Sequence, residues 1–216
     1  MARVKHVVIA CAGFGSRLGK KMPKCLVQVK GRTLLSYLLE MTRGIEDVRV
    51  VVGFHAEDVI AEAFRCRSDV KIVCNDQYAT TNCAYSYWLG TRDLTEPFVV
   101  VDGDMAVHKE DFLTFIEGIE PGKSVVGVCE AKTTDAVFVT MNQQKLVTAF
   151  ARKPPTDLEW CGIAYFDGLV FHNDTQYIFN ELEPGLPLPF HKFRCYEVDT
   201  PEDEALMNKN FHTLGY

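Results

Sequence analysis

Three stretches of this 216-residue chain concentrate residue types able to do chemistry. The first is Ala12-Gly13-Phe14-Gly15-Ser16-Arg17, which directly follows the apolar run Val7 to Cys11. Residues without side-chain bulk after a strand let backbone N–H groups close around phosphate oxygens. Arg17, Lys20, Lys21 and Lys24 follow with no acid among them, the local positive patch a polyphosphate needs. The segment has neither the third glycine of a dinucleotide fingerprint nor the Gly-Lys-Ser/Thr ending of a P-loop. A tight strand-to-helix turn beside a solvated basic face accounts for the same residues. In the second stretch, Val99-Val100-Val101-Asp102-Gly103-Asp104, two carboxylates stand where an apolar strand ends. They suit a divalent cation, and Asp-Gly is also a frequent turn former. The third, Asp199-Thr200-Pro201-Glu202-Asp203, offers either a further cation ligand or acids that oppose a helix dipole.

The elements that must position these groups follow from apolar periodicity. Runs at 5–12, 48–52, 70–74 and 98–101 predict buried strands, and helices are expected from Thr33, at 57–64 and at 82–89. Thr33, Asn82 (or Thr81) and Thr200 are candidate N-caps, the last with Pro201 at the first helical position. Strand–helix alternation implies a parallel sheet, whose carboxyl ends are where ligands collect. Beyond a helix at 111–119 the pattern changes to strands at 124–129, 136–140, 146–150 and 163–166 with polar turns, so an antiparallel region is expected. The Pro-rich 184–189 stretch reads as a surface loop, and 201–208 as the last helix.

Composition narrows the function classes. Hydrophobic residues at 47% and charged residues at 24% are those of a soluble globular protein. At about 150 residues per domain the length favours one domain. A formal net charge of −6 argues against a general nucleic-acid or anionic-membrane partner. No apolar run reaches the roughly 18 residues of a membrane span, and no secretory leader precedes Val7, so a cytoplasmic location is expected. The eight cysteines form no C-x-x-C pair and read as buried thiols. The histidines show no ligand spacing.

The order and spacing of Cys11-Ala12-Gly13-Phe14-Gly15-Ser16-Arg17-Leu18, Met22-Pro23-Lys24-Cys25-Leu26 and Val29-Lys30-Gly31-Arg32-Thr33-Leu34-Leu35 resemble the nucleotidyltransferase signature A-A-G-x-G-x-R-L, P-K-x-L, G-x-P-L/I. Cys11 departs from the usual Ala. The resemblance implies an α/β, Rossmann-like nucleotidyltransferase fold with a mixed, mostly parallel central sheet flanked by helices and a small antiparallel region in the second half. It implies one domain over 1–216, with a nucleotide-binding half (1–105) and an acceptor-binding half (106–216). By position, Ala12, Gly13, Phe14, Gly15 and Ser16 would hold the nucleotide, Arg17 would neutralise the leaving phosphates and Lys24 would contact the reacting ones. Asp104 and Asp199 would hold Mg²⁺, with Asp102 as a second choice; whether Glu197 also contacts the metal is not readable from the sequence.

Asn75-Asp76-Gln77-Tyr78 and Thr81-Asn82-Cys83-Ala84-Tyr85-Ser86-Tyr87-Trp88-Leu89 are similar to a stretch of the bacterial CTP:phosphocholine and aminoalkylphosphonate cytidylyltransferase branch. This places Asn75 and Asn82 with the nucleotide. Tyr85, Trp88 and Leu89 fall on one helical stripe, which is more often core than site, yet aromatic faces also bind ammonium groups by cation–π attraction, so Tyr78, Tyr85, Tyr87 and Trp88 are candidates to touch an aminoalkyl group. Arg152-Lys153-Pro154 and Trp160-Cys161-Gly162 resemble acceptor-phosphate elements of sugar-1-phosphate enzymes, which gives Lys153, Gly162, Trp160 and Tyr85 to the acceptor. Arg152 replaces a Glu that commonly binds sugar hydroxyls there. The implied reaction is transfer of CMP from CTP, or a nucleotidyl group from another NTP, to a small phosphorylated or phosphonate acceptor. The alternatives are a sugar-1-phosphate enzyme and a regulatory subunit that binds nucleotide without turnover. A homo-oligomer is compatible with either reading.

Overall fold

The structure, a computed structural model, describes residues 4–132 and 136–216. Its strands are β1 (His6–Cys11), β2 (Gln28–Val29), β3 (Arg32–Thr33), β4 (Asp47–Val52), β5 (Lys71–Cys74), β6 (Phe98–Asp102), β7 (Met105–Val107), β8 (Val125–Glu130), β9 (Phe138–Met141), β10 (Val147–Ala151), β11 (Leu158–Phe166), β12 (Phe190–Lys192) and β13 (Cys195–Glu197). The helices are α1 (Leu34–Met41), α2 (Ala56–Cys66), α3 (Cys83–Thr91), α4 (Lys109–Gly118) and α5 (Pro201–Asn210).

β1 lies between β4 and β6, parallel to both, and β5 extends the parallel run beyond β4. Val7, Val8 and Ile9 are wholly buried, as a strand covered on both faces must be. Successive side chains go to opposite faces: Val7 and Ile9 join one core with Leu35, Leu38 and Phe112, whereas Val8 joins a second with Tyr87, Val100 and Leu182. The antiparallel strands of the second half continue the same sheet: β11 pairs with β6, and β8 and β9 pair with β11. A third core gathers Leu18, Val27, Leu34 and Tyr37 from the first half of the chain with Met207, Phe211 and Leu214 from its far end.

The caps form as their residue types dictate. Thr33 Oγ1 accepts from Ser36 N at 3.1 Å, and Asn82 Oδ1 accepts from Tyr85 N at 2.9 Å. Thr200 and Asp203 form a reciprocal capping box, at 3.2 and 2.9 Å, so Asp203 is spent on the start of α5.

Several expectations need correction. α4 begins at Lys109 because His108 caps it, through Asp111 N at 3.4 Å. β11 begins at Leu158 rather than at residue 163, since it runs through Gly162, whose φ of +73° bends the strand where its register with β8 shifts. The 184–189 stretch is not purely a surface loop: Leu188 is buried and exchanges backbone hydrogen bonds of 3.0 and 2.8 Å with Val147. The short paired strands β7 and β13 carry no periodic pattern in the sequence. Among the described residues no helix is long and apolar enough to cross a membrane.

Candidate active site

The carboxyl ends of β1 and β6 open into a crevice of about 430 Å³. Gly13, Phe14, Gly15, Ser16 and Arg17 line one side of it, and Asp102, Gly103 and Asp104 its floor. Gly15 adopts φ +61°, and a Cβ there would come within 2.8 Å of the Lys24 side chain. The glycine therefore lets the aliphatic stem of Lys24 pass beneath the loop and bring its ammonium into the crevice. Gly103 N donates to Ala10 O at 3.0 Å, which seats the acidic turn on the end of β1.

Residues distant in sequence meet here. Lys24 Nζ donates to Asp104 Oδ2 at 2.9 Å and bonds Asp199 Oδ1, while Arg17 Nη2 pairs with Asp199 Oδ2. β13 pairs with β7, setting Glu197 opposite Met105, and Val198 N donates to Asp104 O at 3.0 Å. Carboxylate oxygens of Asp104, Glu197 and Asp199 consequently lie within 4.8 Å of one another. Such hard oxygen donors fit Mg²⁺, and the Lys24 ammonium already holds a positive charge between two of them.

Acids outnumber bases in the crevice, and the carboxyl groups register it. Desolvation within the crevice, then the charges of Asp104 and Asp102, push Glu197 up to about 8, although part of its surface stays open to solvent. Burial, then the charge of Asp104, pushes Asp102 up to about 6, against the hydrogen bonds it accepts from Tyr87 Oη at 2.7 Å and Cys83 Sγ at 3.3 Å. Both shifts express the cost of crowding like charges in a poorly hydrated space.

The other residues singled out in the sequence divide. Ala12, Phe14 and Ser16 line the crevice, with the Phe14 ring packed 4.9 Å from Phe54 and 5.2 Å from Tyr78. Asn75 and Asn82 line it too, but their amides are engaged within the chain. Asn75 Nδ2 donates to Thr81 Oγ1 at 3.1 Å and Ser86 Oγ at 3.0 Å, and its Oδ1 accepts from Gln77 N at 3.0 Å. Asn82 Nδ2 donates to the carbonyls of Thr175 and Gln176. Lys153, Trp160, Tyr85 and Gly162 lie outside the crevice lining. Trp160 packs edge-on to Phe150 at 6.3 Å, and Tyr85 packs on Trp88 at 5.4 Å. Gly162 backs Asp102: a Cβ there would stand 2.3 Å from Asp102 Oδ2. Glu197 ends β13, and the chain bends after it so that Asp199, two residues on, joins the same carboxylate group.

This fold, with its glycine turn and acidic crevice, is that of the nucleotidyltransferase class. The chain belongs to the family of MobA-like NTP transferase domains, whose match covers residues 7–159. It is 44% identical over 93 residues to the bifunctional protein GlmU of Azorhizobium caulinodans, an alignment over 42% of this chain and 20% of that one. It is 35% identical over 112 residues to the choline-phosphate cytidylyltransferase of Streptococcus pneumoniae, over 49% and 47% of the two chains. The matched stretches thus span less than half the length of these relatives. Among solved structures, the CTP:phosphocholine cytidylyltransferase of Streptococcus pneumoniae superposes with a TM-score of 0.82 at 23% identity, over 97% of this chain and 100% of that one. The inositol-1-phosphate CTP transferase of T. maritima gives 0.78 at 17%, over 99% and 95%.

Proposed function

We propose that the chain transfers CMP from CTP to the phosphate or phosphonate of a small acceptor of the phosphocholine or 2-aminoethylphosphonate type. An acceptor oxygen attacks the α-phosphorus, the bond from that phosphorus to the bridging oxygen of the β-phosphate breaks, and pyrophosphate leaves. The observation that carries this reading is the convergence of Arg17 and Lys24 on Asp104 and Asp199 beside the glycine turn. The choline-phosphate relative supports the acceptor class.

Asp104, Asp199 and Glu197 would hold Mg²⁺, which supplies charge neutralisation to phosphate oxygens. Backbone N–H groups of residues 13–16 cradle the triphosphate. Lys24 exchanges its carboxylate partners for phosphate oxygens, and Arg17 offsets the negative charge that builds on the leaving pyrophosphate. The acceptor oxygen is already anionic at neutral pH, so no side chain need act as general base. On this reading residues 1–105 serve chiefly the nucleotide and residues 106–216 the acceptor, apart from Glu197 and Asp199 at the metal.

Pyrophosphate release with CTP and Mg²⁺ tests this, using phosphocholine, 2-aminoethylphosphonate and glucose 1-phosphate in turn. Product with either of the first two is expected. Product only with glucose 1-phosphate replaces the acceptor class, and none across a broad panel of NTPs and acceptors leaves a nucleotide-binding protein without turnover.

A further inference from the structure

We infer that Asn82 is a positioning residue that fastens the acceptor-side strap, residues 172–183, to the rim of the nucleotide crevice; the acceptor half of this inference rests on the function proposed above. Capping α3 requires only an acceptor at Asn82, and Asp, Ser or Thr would serve. Its Oδ1 does that work. Its Nδ2 also donates to two consecutive strap carbonyls, Thr175 O at 3.0 Å and Gln176 O at 2.9 Å. Among the short capping residues, Asn alone supplies an acceptor and two N–H donors from one planar group.

The strap is built to be held as a unit. The carboxylate of Glu181, only 4% exposed, accepts from His172 N at 2.8 Å, faces His172 Nδ1 at 3.0 Å and bonds Thr175 Oγ1. Ile178 and Leu182 anchor it in the second core. On its outer side Tyr177 stacks on Phe179 at 5.2 Å, Phe179 packs on Phe150 at 5.3 Å, and Phe150 meets Trp160, which welds the strap to β10 and β11. Asn82 therefore ties this rigid piece of the second half to the helix whose Cys83 and Ser86 line the crevice and whose Tyr87 holds Asp102. On the function proposed above, an acceptor entering past Asn82 would meet the strap just outside the crevice, whose described lining includes Asn82 and no residue of 172–183.

Asn82→Asp tests the assignment because it keeps the cap and replaces both donors with a carboxylate oxygen facing two carbonyls. The expected result has three parts: faster hydrogen exchange in 172–183 with α3 still protected, CTP affinity by calorimetry unchanged, and an acceptor KM raised about tenfold with kcat within about threefold. Asn82→Ser, which also caps but cannot reach the strap, should behave alike. Wild-type exchange in the strap of both variants overturns the fastening, whatever the acceptor. Faster exchange with an unchanged acceptor KM, or with CTP affinity weakened as much as acceptor affinity, overturns the acceptor role. A wild-type chain that turns over no acceptor refutes the proposed function and the acceptor role together, while exchange still decides the fastening.

Discussion

β1 has an ionic cluster at each end, and the two are built oppositely. Where β1 and β4 begin, Asp47 meets His6 at 2.8 Å, Arg49 at 3.0 Å and Lys71 at 2.9 Å. Arg49 continues to Asp93 and to Gly90 O at 3.0 Å, and Lys5 pairs with Glu96 at 2.8 Å. Asp47 Oδ1 has no well-directed hydrogen bond but lies against the Lys71 ammonium. Burial pushes the Asp47 carboxyl upward, yet Lys71, His6 and Arg49 win and hold it below the usual carboxylate range. Arg49 lowers Asp93 likewise, and Lys5 then His6 lower Glu96. Where β1 and β6 end, four acids face Arg17 and Lys24, and Asp102 and Glu197 rise instead of falling. Folding alone favours the compensated arrangement, so an excess of one charge kept in a crevice points to a ligand of the other charge.

The largest effect that can break this contrast is expected from Asp104→Ala. Pyrophosphate release should fall by about 10³-fold or more, because phosphate-charge neutralisation is lost. The same substitution relieves repulsion, so the urea midpoint should shift by no more than about 0.5 kcal/mol equivalent; a large loss of stability would make the two ends alike. Asp47→Ala should do the reverse. Among the described residues it leaves Arg49, 9% exposed at its side chain, with Asp93 and the Gly90 carbonyl as partners, and unfolding in urea should show a loss of about 3 kcal/mol with specific activity retained.

Gly162→Ala sharpens the picture at the crevice floor. Its φ of +73° and the 2.3 Å approach of a Cβ to Asp102 predict a cost of about 1–3 kcal/mol and slower turnover, both measurable on one preparation. The smallest effect concerns acid. Asp47 titrates lower folded than unfolded, so its contribution is full above the unfolded value of about 3.9 and is lost as pH falls through the folded value. Acid unfolding of Asp47→Asn should be correspondingly less steep than that of wild type, and identical profiles would exclude the network as a source of acid sensitivity.

The parallel half was legible because each element carries a strong local signal. Val7 to Ile9 and Val99 to Val101 are unbroken apolar runs, and Thr33, Asn82 and Thr200 cap by their own chemistry. β7 and β13, three residues each, are too short for alternation to show, and they exist through pairing across about ninety residues of sequence. That pairing delivers Glu197. Asn75 and Asn82 illustrate the other gap: a polar side chain beside a ligand crevice looks the same in sequence whether its amide serves the ligand or the fold. Only partners such as Ser86 and Thr175 separate the two. Gly162 stands out in the sequence only through its neighbours, whereas its importance is the carboxylate behind it.

Leu18, one residue past Arg17, rests on a small core completed by Met207, Phe211 and Leu214. During synthesis at roughly 5–20 residues per second, β1, β4 and β6 emerge and can pair well before those side chains leave the ribosome. The turn bearing Arg17 then has no floor, and Asp199 has yet to be made. A nascent chain can thus own most of its sheet while the turn bearing Arg17 still lacks the side chains on which Leu18 rests.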